Sequence, residues 1–253
     1  MDIGEFLEEI RQAPGYRDQI VYVREYAARE AQYADPEQPL AEQTREALAA
    51  QEIERLYTHQ AEAVDRARAG EDLLVVTGAA SGKSLCYQIP IIETLLADPD
   101  ATALLLFPTK ALCQDQFRAF SQTLESAGMD GTLAGVYDGD TSGNMRRRLR
   151  EGGSVIFSNP DMIHAAMMPQ HARWAEFISR MRIMVLDEMH VYSGIMGSNM
   201  ANLMRRLRRV FDHYGARPQM LGCSATISNP AELAEGVTGR EMTIIERDGS
   251  PRG

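Results

Sequence analysis

Lys83 and Ser84 close the segment Thr77-Gly78-Ala79-Ala80-Ser81-Gly82-Lys83-Ser84, whose residue types suit the binding of a polyphosphate. Small residues let backbone N–H groups converge on phosphate oxygens, and a helix that starts here adds the partial positive charge of its N-terminus. In this arrangement Lys83 reaches the outer phosphates of a nucleoside triphosphate such as ATP, and the Ser84 hydroxyl ligates Mg2+. The strict pattern places glycine six residues before the lysine, where this chain has Thr77, with Gly78 one step later. Farther on, Asp187-Glu188-Met189-His190 offers the carboxylates that hydrolysis needs. Asp187 would hold the Mg2+ through its water shell, and Glu188 would polarise or position the attacking water. A third group, Ser224-Ala225-Thr226, supplies small hydroxyls. Together with His190, Ser224 and Thr226 are candidates for relaying the nucleotide state to a neighbouring site.

Each group closes an apolar run that must act as a strand. Leu73–Val76 leads into the loop, Met181–Leu186 into Asp187, and Met220–Cys223 into Ser224. Strands are expected over 73–77, 103–107, 132–137, 154–158, 182–187, 219–223 and 242–246. Helical stretches between them make crossovers, so the strands run parallel and the three groups gather at the carboxyl edge of one sheet. The expected fold class is α/β, a doubly wound and mainly parallel sheet of the P-loop NTPase kind. Ahead of it, Ile3, Phe6, Leu7 and Ile10 form a helical stripe closed by Pro14-Gly15. A second helical stretch, rich in Ala, Glu and Arg, is expected up to about Ala34, and a third from Glu42 to Glu54. The domain reading is therefore a helical extension at 1–54 and an α/β domain at 55–253.

The chain has 253 residues, 44% apolar and 7% aromatic, which is ordinary globular composition for one large domain with an appendage. No apolar run approaches the roughly 20 residues of a membrane span, and the acidic start Met1–Glu9 lacks the cationic opening of a signal peptide. A cytoplasmic location without a membrane partner is the expectation. Cys86, Cys113 and Cys223 are scattered in apolar contexts without zinc spacing and read as reduced core residues. A net charge of −10 weighs mildly against nucleic acid at the level of the whole chain. Two basic clusters run the other way, Arg146, Arg147, Arg148 and Arg150, and Arg205, Arg206, Arg208 and Arg209. The second alternates with Leu203, Leu207 and Val210, the pattern of an amphipathic helix with a cationic outer face.

Asp-Glu-x-His placed after a P-loop and before Ser-Ala-Thr resembles the first motor domain of a superfamily 2 helicase. The segments Leu56–Gln60, Ser84–Tyr87, Phe107–Leu112 and Asn202–Arg209 are similar to the bacterial MrfA/YprA type of DNA helicase. Met189 departs from the usual alanine of Asp-Glu-Ala-His, and Cys113 stands before Gln114-Asp115-Gln116 where a smaller residue is more usual. The resemblance implies a RecA-like fold in which Gln60 reads adenine, its amide offering a donor and an acceptor, with Tyr57 packed on the base. It also implies nucleic-acid contacts at Pro108, Thr109, Lys110 and Gln114, at Gly139-Asp140, and at Ser158-Asn159. Single-stranded DNA is the partner so implied. RNA is the alternative, because nothing in these residues reads a 2′-hydroxyl. A second RecA-like domain of the same full-length protein would close over the nucleotide and add arginine fingers, so the 253 residues alone should bind nucleotide weakly and hydrolyse it very slowly. The function implied is an ATP-dependent DNA helicase or translocase, with DNA repair as its setting. The alternatives are an RNA-directed enzyme of the same superfamily and a nucleotide-gated binding module without useful hydrolysis.

Overall fold

Runs such as Leu73–Val76 and Leu104–Leu106 are apolar at every position, which suits strands covered on both faces. The computed structural model describes residues 3–23, 27–129 and 131–251, and it divides into two compact units, Ala31–Ser250 and Met1–Glu30 with Pro251–Gly253. In the larger unit β1 (Tyr33–Ala34) pairs antiparallel with β2 (Leu56–Tyr57). The remaining strands are β3 (Leu73–Val76), β4 (Thr102–Leu106), β5 (Ala134–Val136), β6 (Val155–Ser158), β7 (Met181–Leu186), β8 (Gln219–Ser224) and β9 (Thr243–Ile245). They form a seven-stranded sheet in the order β5-β6-β4-β7-β8-β3-β9, and every pairing in it is parallel.

Side chains alternate across the sheet, and each face has its own helices. The helices are α1 (Ile3–Gln12), α2 (Glu42–Ala49), α3 (Thr58–Arg68), α4 (Leu85–Ala97), α5 (Lys110–Ser126), α6 (Gly143–Gly152), α7 (Pro160–Met162), α8 (Ala175–Ser179), α9 (Gly194–Tyr214) and α10 (Pro230–Thr238). Leu73, Val75, Leu105, Val185 and Leu221 pack with α3, α4 and α5 through Ala63, Ile91, Leu95 and Phe120. Leu74, Val76, Leu104, Leu186 and Met220 pack on the opposite face with α8, α9 and α10 through Phe177, Leu203, Leu207 and Val237. Cys86, Cys113 and Cys223 are buried free thiols, and burial pushes Cys86 up to about 12, so they are core residues as expected.

The seven strands appear within two residues of their expected bounds. The helix expected up to Ala34 does not form among the described residues: Tyr33–Ala34 is β1, held by pairing with β2, and Arg24–Tyr26 lie outside the described residues. Tertiary pairing overrides the helical composition of that stretch. The helix expected to end at Glu54 stops at Ala49, and Glu52 takes a left-handed φ of 61°. α2 lies in the larger unit, where Ala47 and Leu48 are buried. In the smaller unit α1 carries the expected stripe but has no buried residue, with Ile3 and Phe6 exposed.

Candidate nucleotide and nucleic-acid sites

The phosphate loop leaves β3 beside β8, where the Thr77 N–H donates to the Ser224 carbonyl at 3.3 Å. Ala80 (φ 57°) and Gly82 (φ 73°) take left-handed backbone, which turns the chain sharply enough to ring an anion. A Cβ on Gly82 would stand 2.5 Å from Gln60 Nε2 and displace that amide, and the left-handed backbone would strain any other residue there. Thr77 and Ser81, both buried, share a 2.7 Å hydrogen bond between their hydroxyls, which braces the loop from within. Thr77 thus has a structural reason to stand where the strict pattern has glycine. Lys83 donates its ammonium to the Thr77 carbonyl at 3.2 Å and to the Gly78 carbonyl at 2.6 Å, which holds the charge over the loop.

Oxygen donors converge beside that charge. Ser84 Oγ and the Tyr87 hydroxyl both donate to Gln116 Oε1 at 3.0 Å, and the Tyr87 hydroxyl lies 3.5 Å from Asp187 Oδ2. Burial pushes the Asp187 carboxyl up to about 6, although the Glu188 N–H donates to its Oδ1 at 2.9 Å. A desolvated carboxylate linked to a serine hydroxyl through Tyr87 and Gln116 supplies hard-oxygen donors of the kind that suit Mg2+, with phosphates and waters completing the shell. Glu188 follows in a left-handed conformation (φ 51°), uncommon outside glycine, that carries its carboxylate away from the strand axis. Its Oε2 stands 3.1 Å from His190 Nδ1, and that same nitrogen faces the Ala225 N–H at 3.3 Å. The buried Ser224 hydroxyl donates to the Ala225 carbonyl, and Thr226 is exposed.

Gln60, 2% exposed, uses both ends of its amide within the protein. Its Oε1 accepts from the Tyr57 N–H at 2.8 Å and its Nε2 donates to the Gly82 carbonyl at 2.9 Å. Tyr57 stacks between Tyr33 (5.4 Å between ring centroids) and His59 (5.9 Å), and the Arg55 guanidinium lies 4.6 Å above the Tyr33 ring. Tyr33, Arg55, Tyr57 and Gln60 line a cavity of about 470 Å³ beside Ala80 and Gly82. Sequence reasoning missed Tyr33 and Arg55, which reach the site through β1 and the approach to β2. It also missed a strap at the end of the larger unit. Gly249 N donates to His59 Nδ1 at 3.2 Å, His59 Nε2 lies 3.0 Å from the Ser81 carbonyl, and Asp248 Oδ2 lies 3.4 Å from the Gly78 N–H. Nothing local in Asp248-Gly249-Ser250 signals that contact, since the triplet reads as turn chemistry.

The other half of the carboxyl edge, beyond β4, β6 and β5, carries the residues for which the resemblance implies nucleic-acid contacts. Thr109 and Asn159 cap α5 and α7, accepting from the Leu112 and Met162 N–H groups. Ser158 is fully buried and donates to the Tyr137 carbonyl at 2.6 Å, so its hydroxyl braces β6. Lys110 is exposed and pairs with Asp140 at 2.8 Å, while the Gln114 amide nitrogen lies 3.5 Å from Asp138 Oδ2. Arg146, from the first basic cluster, donates to the Asp138 and Gly139 carbonyls and so holds this loop. Pro108 lies at the end of β4, half-buried. The sheet order therefore places β7, with Asp187 and Glu188, between β8 and β3, which carry the phosphate loop and Ser224, and β4, β6 and β5, which carry the Pro108–Lys110, Asn159 and Gly139-Asp140 loops.

Comparison with known proteins identifies the family of the chain. The chain is 39% identical over 236 residues to the uncharacterized ATP-dependent helicase YprA of Bacillus subtilis, covering 93% of this chain and 31% of that protein. It is 38% identical over 257 residues to the ATP-dependent helicase HRQ1 of Saccharomyces cerevisiae, covering 99% of this chain and 23% of that one. A crystal structure of the DUF1998 helicase MrfA bound to DNA and AMPPNP superposes with a TM-score of 0.92 at 37% identity, over 100% of this chain and 35% of that one. The chain thus spans about a third or less of the length of these relatives, and its fold is that of a RecA-like helicase domain. The pattern described as DEAD/DEAH box helicase matches residues 57–233, and the chain belongs to that family.

Proposed function

We propose that this chain is the ATP-binding motor domain of an ATP-dependent DNA helicase or translocase. The observation that carries the reading is the partition of one sheet edge. Lys83, Asp187 and Glu188 meet in one half and the Pro108–Lys110, Gly139-Asp140 and Asn159 loops in the other, with β7 shared between them. ATP would lie on Thr77–Ser84, its base in the cavity of Tyr33, Tyr57 and Gln60. Ser84 and Asp187 would hold Mg2+, which neutralises charge on the phosphates. The chain's own residues do the rest: Lys83 holds the outer phosphates, and Glu188 orients and deprotonates a water for in-line attack. His190 reports the state of Glu188 to Ser224–Thr226 through Ala225.

DNA is favoured over RNA because MrfA, the relative superposed over the whole chain, is bound to DNA in its structure. The proposal includes a second RecA-like domain in the full-length protein, the helical extension at the start of the chain as an accessory element, and a cytoplasmic role in DNA repair. The test is ATP turnover by the full-length protein with no polymer, with single-stranded DNA and with single-stranded RNA, using Lys83→Ala as the blank. Stimulation by DNA that the variant lacks is the expected result. Stimulation by RNA alone would move the assignment to an RNA-directed enzyme. Nucleotide binding without turnover under any condition would reduce the chain to a switch module.

A further inference from the structure

A cavity of about 440 Å³ opens at the strand-track half of the sheet edge, apart from the nucleotide site. Its walls come from Pro108 after β4, Pro160 and His164 after β6, Tyr192 after β7, and one face of α9. That face is Met196, Asn199, Leu203 and Arg206, spaced three and four residues apart so that they align along the helix. The walls are mixed. Pro108, Pro160, Met196 and Leu203 are apolar surfaces that can lie flat against a ring, and Asn199, Arg206 and the Asp161 carboxylate are hydrogen-bonding edges. Arg206 is held in place by His164, whose Nδ1 accepts from its guanidinium at 2.6 Å. A second observation points to a ligand. Tyr192 lines this cavity, is 2% exposed, and its buried hydroxyl has no hydrogen-bond partner. Such a group costs stability unless something supplies a partner.

We infer that this cavity receives one unpaired base of the bound nucleic-acid strand, so that α9 reads the strand by stacking and edge contacts while Lys110 meets its phosphates. The inference rests on the proposed strand track. Three features select a nucleobase. The cavity opens between the two loops assigned to that track, Pro108–Lys110 and Asn159-Pro160. Its mixture of flat apolar walls and hydrogen-bonding edges matches a heteroaromatic ring. The exposed side chains of Ile195 (82%) and Met196 (52%) stand at the start of α9, where they can pack on the next base. A base paired in a duplex could not enter, so the cavity selects a single strand.

The experiment follows the methyl resonances of ¹³C-methionine-labelled 253-residue chain, which register weak binding, with Met196 and Met200 assigned through Met→Leu variants. The chain is titrated with a single-stranded DNA oligomer, an RNA oligomer of the same sequence, and the DNA oligomer with its bases removed. Met196 and Met200 should shift with the base-bearing oligomers and stay in place with the abasic one. Asn202→Trp fills the mouth of the cavity from the exposed face of α9 and should remove an affinity advantage of bases over abasic backbone of about tenfold. Lys110→Ala should weaken base-bearing and abasic oligomers alike. Shifts confined to other methionines, or a base preference that Asn202→Trp leaves intact, would overturn the cavity assignment while the strand track stands. No shift with any oligomer would overturn both. A response to RNA but not DNA would keep the base site and change the polymer.

Discussion

His190 Nδ1 lies 3.1 Å from Glu188 Oε2 and 3.3 Å from the backbone N–H of Ala225. One ring nitrogen can donate to the carboxylate or accept from the amide, and it cannot do both. The two arrangements tie the carboxylate proposed to orient water either to the imidazole or away from it, and Ala225 sits between the two relay hydroxyls of Ser224 and Thr226. His190→Ala should therefore spare the phosphate loop and break the link. In the full-length protein the expected result is ATP affinity within about twofold of wild type, with polymer-stimulated turnover reduced by tenfold or more, a coupling of roughly 1.4 kcal/mol. Equal loss of basal and stimulated turnover would show that His190 serves the hydrolytic step alone.

Asp187 makes stability depend on pH in a direction opposite to an ion-paired carboxylate. Burial raises its folded value from 3.8 to about 6. Between those values the folded chain keeps a proton that the unfolded chain has released, so stability falls as pH rises through that window and stays lower above it. Asp187→Asn is neutral throughout. Without nucleotide or Mg2+, it should be more stable than wild type by on the order of 2–3 kcal/mol at pH 7.5, a Tm gain of roughly 4–12 °C, and should show no gain near pH 4. The same variant should lose hydrolysis. A flat difference in Tm across pH 4–8 would rule out the buried carboxylate as its cause.

The strap over the phosphate loop depends on a residue without a side chain. A Cβ on Gly249 would meet Thr58 Oγ1, the Gln32 carbonyl oxygen at 2.7 Å and the Thr58 nitrogen at 2.9 Å, and the last two are backbone that cannot step aside. Gly249→Ala should cost about 1–3 kcal/mol and weaken nucleotide binding, because His59 connects Gly249 to Ser81. Gly236 in α10 is the control, since a Cβ there meets nothing within 4 Å. Gly236→Ala should raise stability by about 0.5–1 kcal/mol, with nucleotide affinity unchanged. If both variants behave alike by thermal melting and nucleotide titration, the strap plays no part in the site.

The sheet was readable because its strands are buried on both faces, and continuous apolar runs such as Leu104–Leu106 admit few other structures. The juxtaposition of Lys83, Asp187 and Ser224 was readable for the same reason: each follows such a run, so the parallel register brings them to one sheet edge. What escaped reading depends on pairing and reach. Tyr33 is in a two-residue strand formed only against β2, within a stretch whose composition favours helix. Asp248 reaches Gly78 across 170 residues of sequence. Ser158, expected at the strand, is turned inward by its bond to Tyr137, a choice that a four-residue segment does not encode.

Tyr33 provides the sharpest check on where the base of the nucleotide lies. It is 41% exposed, stacks on Tyr57 at an interplanar angle of 23°, and has the Arg55 guanidinium 4.6 Å from its ring centroid. Because it is half outside the core, Tyr33→Ala should leave Tm nearly unchanged. It should nonetheless remove the outer plate of the base cavity and lower ATP affinity by about tenfold, the size of one lost stacking contact. Tyr33→Phe keeps the ring and should keep the affinity. Inorganic tripolyphosphate, which has no base, should compete equally well against bound nucleotide analogue in wild type and variant once each is scaled to its own ATP affinity, because it tests only Thr77–Ser84. An unchanged ATP affinity in Tyr33→Ala would move the base out of this cavity and leave Gln60 with the role it visibly has here, holding Gly82.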